Sequence, residues 1–209
     1  MIVLKADFVA SAQTRASWPE EGAPEVAFCG RSNVGKSSCL NALAGRQGLA
    51  RVSRTPGRTR LINFFDVTLG EKTRTGARAR EQVLRLVDLP GYGYASGPKK
   101  EKATWGSMIE QYLTERAPLR ALVVLVDGDL GPQESDREMC DFAGKLPREL
   151  LVVATKIDKL SRNRREQALQ RAASFLGLPR EALLGFSAKE RIGVEELWQV
   201  LADIAREKA

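Results

Sequence analysis

Gly30-Arg31-Ser32-Asn33-Val34-Gly35-Lys36-Ser37 is the stretch that decides the fold. It fits G-x-x-x-x-G-K-[ST] and lies between an apolar run at 25–29, read as a strand, and a helical stretch at 37–44. The pattern has a physical basis. Its glycines let the backbone turn N–H groups inward around phosphate oxygens, and the N-terminus of the following helix adds its positive dipole end. Lys36 is expected to reach the β- and γ-phosphates of a nucleotide, and the Ser37 hydroxyl to ligate Mg²⁺.

Working outward, strand and helix signals alternate. The runs at 61–67 and 83–88 read as strands joined by a basic, glycine-containing tip at 70–79, a long hairpin. The runs at 121–126 and 150–154 are continuously apolar, as expected of strands covered on both faces, and 182–186 reads as a last strand. Helical faces are marked by Trp105, Met108, Ile109, Tyr112 and Leu113, by Met139, Phe142, Ala143 and Leu146, by Ala168, Leu169, Ala172, Ala173 and Leu176, and by Val194, Leu197, Trp198, Leu201 and Ile204. This order predicts an α/β fold. Its sheet has six strands, mostly parallel, with helices on both faces and one antiparallel edge strand from the hairpin. Residues 1–24 read as an N-terminal arm or short strand, ending in a turn at Glu20-Glu21-Gly22-Ala23-Pro24. Residues 25–209 read as a single domain without internal repeat or dividing linker.

Three further motifs follow strands. Asp88-Leu89-Pro90-Gly91 places an acid at a strand end, suited to an indirect Mg²⁺ role, and a glycine whose N–H can meet a γ-phosphate. Thr155-Lys156-Ile157-Asp158 offers a carboxylate that can accept hydrogen bonds from the N1–H and exocyclic amine of guanine. Adenine presents neither donor, and a site built to pair a substrate's donor rejects analogues that lack it. Lys156 would lay its alkyl stem along the base. Phe186-Ser187-Ala188 follows the last strand, where the Ala188 N–H can bond the guanine carbonyl. In this order the four motifs define the translation-factor-like class of GTPases, with GTP as substrate and GDP as product.

Composition bounds the rest. Of 209 residues, 43 % are apolar, enough for a core, yet no stretch approaches the ~18 consecutive apolar residues of a membrane span. Lys5, Asp7 and Arg15 interrupt the first residues and no apolar signal region follows, so the expected address is cytoplasmic. Histidine is absent, which excludes a His-based triad and a His-ligated zinc. Cys29, Cys39 and Cys140 are odd in number without metal-ligand spacing and read as buried, reduced thiols. The net charge of +7 lies wholly in residues 46–85. That segment holds ten basic residues (Arg46, Arg51, Arg54, Arg58, Arg60, Lys72, Arg74, Arg78, Arg80, Arg85) against Asp66, Glu71 and Glu81. Such an excess points to a polyanionic partner, with a solvated loop as the alternative.

Finer strings narrow the class. Gly-Arg-Ser-Asn-Val-Gly-Lys-Ser-Ser at 30–38, Thr-Pro-Gly-Arg-Thr at 55–59, Ile-Asn-Phe-Phe at 62–65 and Asp-Leu-Pro-Gly-Tyr-Gly-Tyr-Ala at 88–95 resemble the EngB family, also called YihA or YsxC, of the Era/TrmE-related GTPases. The resemblance runs from about Pro24 into the C-terminal helix. It implies a Ras-like P-loop GTPase fold, a role in assembling the large ribosomal subunit through the subunit or its rRNA, and an association with normal cell division and septation. It also implies that nucleotide contacts extend over Gly57, Arg58, Thr59, Arg60 and Leu61, with Thr59 a second Mg²⁺ ligand. Thr55 competes for that role; Thr59 is preferred because it lies closer to the strand. The catalytic set so implied is Lys36, Thr59 and Gly91. One departure is Asp127-Gly128-Asp129-Leu130-Gly131, where the family usually shows Asp-Ser-Arg-His-Gly.

Where Ras-type GTPases carry a water-orienting glutamine after the D-x-x-G glycine, this chain has Tyr92. A phenol cannot reproduce the carboxamide's paired donor and acceptor, so slow intrinsic turnover is expected. A ribosomal particle or a cation would then supply the missing element. Asn33 is the residue type some related GTPases use to hold K⁺; it equally suits a loop-stabilising amide. Tyr92 and Tyr94, with Lys99, Lys100 and Lys102 nearby, suit either stacking on RNA or a switch loop that orders with nucleotide.

Overall fold

Alternating strands and helices build one sheet with helices on both faces. The computed structural model describes residues 2–50, 61–70, 81–92 and 99–206, with backbone alone over 99–106. The strands are β1 (Ile2–Ala12), β2 (Glu25–Gly30), β3 (Ile62–Gly70), β4 (Gln82–Asp88), β5 (Leu119–Asp127), β6 (Glu149–Thr155) and β7 (Leu183–Gly185). The helices are α1 (Lys36–Leu43), α2 (Lys99–Glu115), α3 (Glu134–Ala143), α4 (Arg162–Leu176) and α5 (Val194–Arg206). The sheet order is β1-β3-β4-β2-β5-β6-β7.

Period-two alternation sorts each strand between two cores. Ala121, Val123 and Leu125 of β5 face the layer under α1 and α5, with Leu40, Leu43, Leu197, Trp198 and Leu201. Leu122, Val124 and Val126 face the opposite layer, with Tyr112, Leu113, Cys140, Leu169 and Ala173 of α2, α3 and α4. Both faces are covered, so these strands can be apolar throughout. All three cysteines are buried and unpaired, as expected.

The sheet has seven strands, one more than the six expected. The additional strand is β1, which pairs antiparallel with β3 and takes its place as the edge. Because β3 is also antiparallel to β4, it alone among the seven runs against the others. β1 was hard to read for a physical reason. Its register with β3 shifts between Val3 and Lys5 and again between Phe8 and Ala10, so Leu4 and Val9 are extra residues that break the alternation. Both are exposed, as bulge residues on an edge strand can be.

In the middle of the sheet, the start of β2 is tied by a buried ionic cluster. Glu25, at the start of β2, accepts from Arg116 Nε at 2.9 Å and from the Tyr112 hydroxyl at 2.7 Å. Arg85 reaches Glu25 at 3.4 Å and grips Asp66, its cross-strand neighbour, at 2.6 and 3.1 Å. Arg116 and Arg85 also donate to the carbonyls of Pro19 and Glu20, pinning the approach to β2. Arg85 is therefore spent inside the fold and does not belong with the charges free for a partner. Arg46 is exposed and donates to the Ala6 carbonyl at 3.0 Å. The other eight basic residues of 46–85 lie outside the described residues, as do Thr55 and Tyr94, and the side chains of Lys99, Lys100, Lys102 and Trp105.

Candidate nucleotide site

The motifs converge because the strands that carry them are parallel neighbours. β4, β2, β5, β6 and β7 all point the same way, so the loops after Asp88, Gly30, Asp127, Thr155 and Gly185 open on one rim. In an open α/β sheet such a rim is where ligands bind.

The loop from Gly30 to Lys36 turns tightly between β2 and α1. Asn33 and Gly35 take left-handed φ values of 66° and 104°. At Gly30 a Cβ would stand 2.8 Å from the Leu125 carbonyl oxygen, closer than a side chain can be placed. Val34 is buried and closes the loop through its N–H to the Arg31 carbonyl at 3.2 Å. Lys36 and Ser37 open α1, whose first N–H groups face out of the helix end. The Lys36 ammonium contacts Asp88 at the end of β4. The contact sets Lys36 against the strand-end acid, and Ser37 follows Lys36 directly in α1; the oxygens of Ser37 and Asp88 are of the hard donor type that suits Mg²⁺.

Beyond Asp88, Leu89 is buried, and Gly91 lies so close to the phosphate loop that a Cβ would be 3.2 Å from the Gly30 carbonyl oxygen and 3.3 Å from the Ser32 nitrogen. Tyr92 N–H donates to Gly30 O at 3.2 Å, and its ring turns into the core. The hydroxyl donates to Asp136 of α3 at 3.0 Å. Burial is the main force holding the phenol in its protonated form; the nearby Cys29 and Asp136 add to it.

The other end of the rim is assembled from the loops after β6 and β7. Lys156, with φ of 58°, sends its ammonium to the Asn33 carbonyl at 2.8 Å and to Asp127 at 2.7 Å, so its stem bridges the phosphate loop and β5. Asp127 also accepts from the N–H groups of Asp129 and Leu130. Burial by itself would raise the Asp127 pKa; the Lys156 bond and these amides outweigh it and leave it below the ordinary value. The Thr155 hydroxyl donates to the Val34 carbonyl at 2.5 Å, tying β6 to the loop. Asp158 accepts from Ser187 Oγ at 2.6 Å, and Ser187 Oγ in turn accepts from the Glu190 N–H at 3.1 Å. Ile157 is buried, with its N–H on the Phe186 carbonyl at 3.3 Å. A pocket of about 180 Å³ opens here, lined by Gly35, Ser38, Lys156, Asp158, Phe186 and Ala188 among others.

The structure thus gathers residues 30–37, 88–91, 155–158 and 186–188 on one rim. Pro90 lies among them, and Leu61 is exposed just before β3. Gly57, Arg58, Thr59 and Arg60 lie outside the described residues. Three residues lie outside the site expected from the sequence: Ser38 lines the pocket one residue beyond the motif, Asp127 clamps Lys156, and Asp136 holds Tyr92, while Thr155, expected in the site, also ties it through its hydroxyl. Asp127 was the most legible of them, since it ends an apolar strand as Asp88 does. Among the described residues no cluster of three or more His, Cys, Asp or Glu could hold a metal, and no helix is long and apolar enough to cross a membrane.

Fold and site together define a P-loop GTPase, and the family model described as a 50S ribosome-binding GTPase matches residues 25–156. A probable GTP-binding protein EngB of Anaeromyxobacter dehalogenans (strain 2CP-C) is 49 % identical over 207 residues, covering 99 % of this chain and 94 % of the relative. Its counterpart in Myxococcus xanthus is 47 % identical over 201 residues, covering 96 % and 95 %. The chain belongs to the EngB family of GTP-binding proteins, for which GTP hydrolysis is the general kind of activity. Among solved structures, a probable GTP-binding protein engB shares the fold at a TM-score of 0.64, with 24 % identity, covering 88 % of this chain and all of that one. Era, solved with MgGDPNP and nucleotides 1506-1542 of 16S ribosomal RNA, aligns at a TM-score of 0.65 and 25 % identity over 91 % of this chain and 59 % of its own.

Proposed function

We propose that this chain is a GTP–GDP switch in assembly of the large ribosomal subunit, acting in the cytoplasm and tied through that role to normal cell division and septation. The observation that carries the nucleotide part is the Asp158 carboxylate, held by Ser187 at 2.6 Å on the pocket that Gly35 also lines. In this reading Gly30 to Ser37 wrap the phosphates, Lys36 leaves Asp88 for the β- and γ-phosphates, and Asp88 turns to the hydration shell of Mg²⁺. Ser37 and Thr59 ligate the ion, and Gly91 N–H meets the γ-phosphate. Gly57, Arg58, Arg60 and Leu61 complete the nucleotide contacts, and the G domain spans 25–209 with β1 added at its edge. Mg²⁺ contributes charge neutralisation between the phosphates.

The large-subunit part is supported by the family description, which names the 50S particle; the Era complex, with 16S ribosomal RNA of the small subunit, supports contact with ribosomal RNA in general. Intrinsic hydrolysis is slow in this account, because the side chain at the water-orienting position is committed to Asp136. Asn33 is the candidate K⁺ holder. The same observation favours a second reading, an RNA- or ribosome-binding module that uses GTP mainly as a structural or sensing ligand. Turnover measured with and without large-subunit particles separates the two. A switch GTPase is stimulated by the particle, whereas a module that senses GTP binds it and leaves turnover flat.

A further inference from the structure

Asp136 is fully buried at the start of α3, with three donors from three different places. The Tyr92 hydroxyl donates from the segment after β4 at 3.0 Å. Arg31 Nε donates from the phosphate loop at 3.0 and 3.3 Å. The Gln133 N–H donates from the helix's own cap at 2.8 Å. The other end of Arg31 reaches the Gly131 carbonyl at 3.4 Å, so its guanidinium spans the loop after β5 as well. A buried carboxylate with this set of donors is costly to disturb, since loss of one partner strands the others away from water.

We infer that Asp136 is a positioning residue for the γ-phosphate-dependent steps of the nucleotide cycle, through its joint hold on Tyr92 and Arg31. Gly91 precedes Tyr92 directly and already lies within contact of Gly30 and Ser32. Tyr92 is tied to the phosphate loop twice, by its N–H on the Gly30 carbonyl and, through Asp136, by its hydroxyl to Arg31. The Gly91 amide therefore cannot shift against the phosphate loop without breaking a buried triangle. The guanine end, at Asp158 and Ser187, shares no residue with that triangle. The inference rests on the proposal that Gly91 N–H meets the γ-phosphate.

The experiment compares the parent with Asp136→Ala, Asp136→Asn and Tyr92→Phe. It measures GDP affinity, affinity for a non-hydrolysable GTP analogue, kcat and KM. Small displacements of reacting groups are costly, so Asp136→Ala is expected to lower kcat about tenfold and to weaken the analogue about fivefold. GDP affinity is expected to stay within about twofold, since GDP has no γ-phosphate for Gly91 to meet. Asp136→Asn keeps one acceptor for the Tyr92 hydroxyl but loses the charge and turns an amide donor toward Arg31 or the Gln133 N–H, so it should recover only part of the loss. Tyr92→Phe removes the hydroxyl alone and carries the same test if Asp136→Ala does not fold. Equal losses for GDP and the analogue, or an unchanged kcat in a folded variant, would overturn the positioning role. A parent that hydrolyses no GTP contradicts the proposed function itself, so the two failures are distinguishable.

Discussion

Asp127, at the end of β5, and Asp158, in the turn after β6, are carboxylates on the same rim, and they do different work. Asp158 faces the pocket with Ser187 on one oxygen, leaving acceptor capacity for a base. Asp158→Asn should weaken GTP and GDP by about a hundredfold or more, since a buried donor then meets an amide in place of a carboxylate. The same variant should prefer xanthine nucleotides, whose C2 carbonyl can pair with the new amide donor. A competition series over GTP, ATP and xanthosine triphosphate checks this, and retained guanine preference counts against the assignment. Asp127 acts on the protein instead, through Lys156 and two amides. Its pKa is lowered by folding, so its stabilisation is complete above the ordinary carboxylate range and is lost as pH falls through the lowered value. Asp127→Asn should cost about 1–3 kcal/mol at neutral pH, by loss of a charge-assisted bond. Urea midpoints for parent and variant should begin to converge below about pH 4, where the unfolded carboxylate protonates, and meet once the folded carboxylate follows at its lowered value. A gap that persists undiminished at pH 3 would contradict this.

At the scale of elements, motifs carried on contiguous residues were legible and partnerships across the sheet were not. The loop from Gly30 to Ser37 is read from one octet, because its chemistry needs glycines and a lysine at fixed spacing. The strands β5 and β6 announce themselves as apolar runs because both faces are buried. Asp136 gives no such signal: its partners lie 44 and 105 residues away, and only the fold brings them together. Arg85 misled in the same way, since Asp66 and Glu25 absorb its charge from neighbouring strands. The first residues read as an arm or a short strand, and two bulges kept the full length of β1 and its place in the sheet from being legible. The Glu25 cluster lies at the opposite end of β2 from the phosphate loop, so its removal should act on stability and not on nucleotide choice. Glu25→Ala strands the buried Arg116 and the Tyr112 hydroxyl, while Arg85 keeps Asp66, and should cost about 3 kcal/mol or more, read from denaturant unfolding. A variant of parental stability, or one with altered GTP-over-ATP preference, would show the cluster to be misread. The cysteines probe the same packing. Burial raises all three thiols, Cys140 to about 12, with the neighbouring acids adding to it. None should react with a thiol reagent at pH 8 until the chain unfolds.

For the whole molecule, the central claim is a nucleotide-controlled contact with a ribosomal particle, and the sequence puts the surplus charge in 46–85. With Arg85 internal, the residues left to test are those nearer the middle of the segment. Replacing Arg74, Arg78 and Arg80 by Ala should weaken particle binding and leave GTP affinity unchanged, because these positions lie outside every nucleotide motif. The most direct measurement is co-sedimentation of the chain with purified large ribosomal subunits, across a salt series, with a non-hydrolysable GTP analogue and with GDP. The account predicts tighter association with the analogue and a steep loss as salt rises, since each phosphate neutralised by a basic side chain releases counterions. Association that ignores both the nucleotide and the salt, or no association in either state, would contradict it.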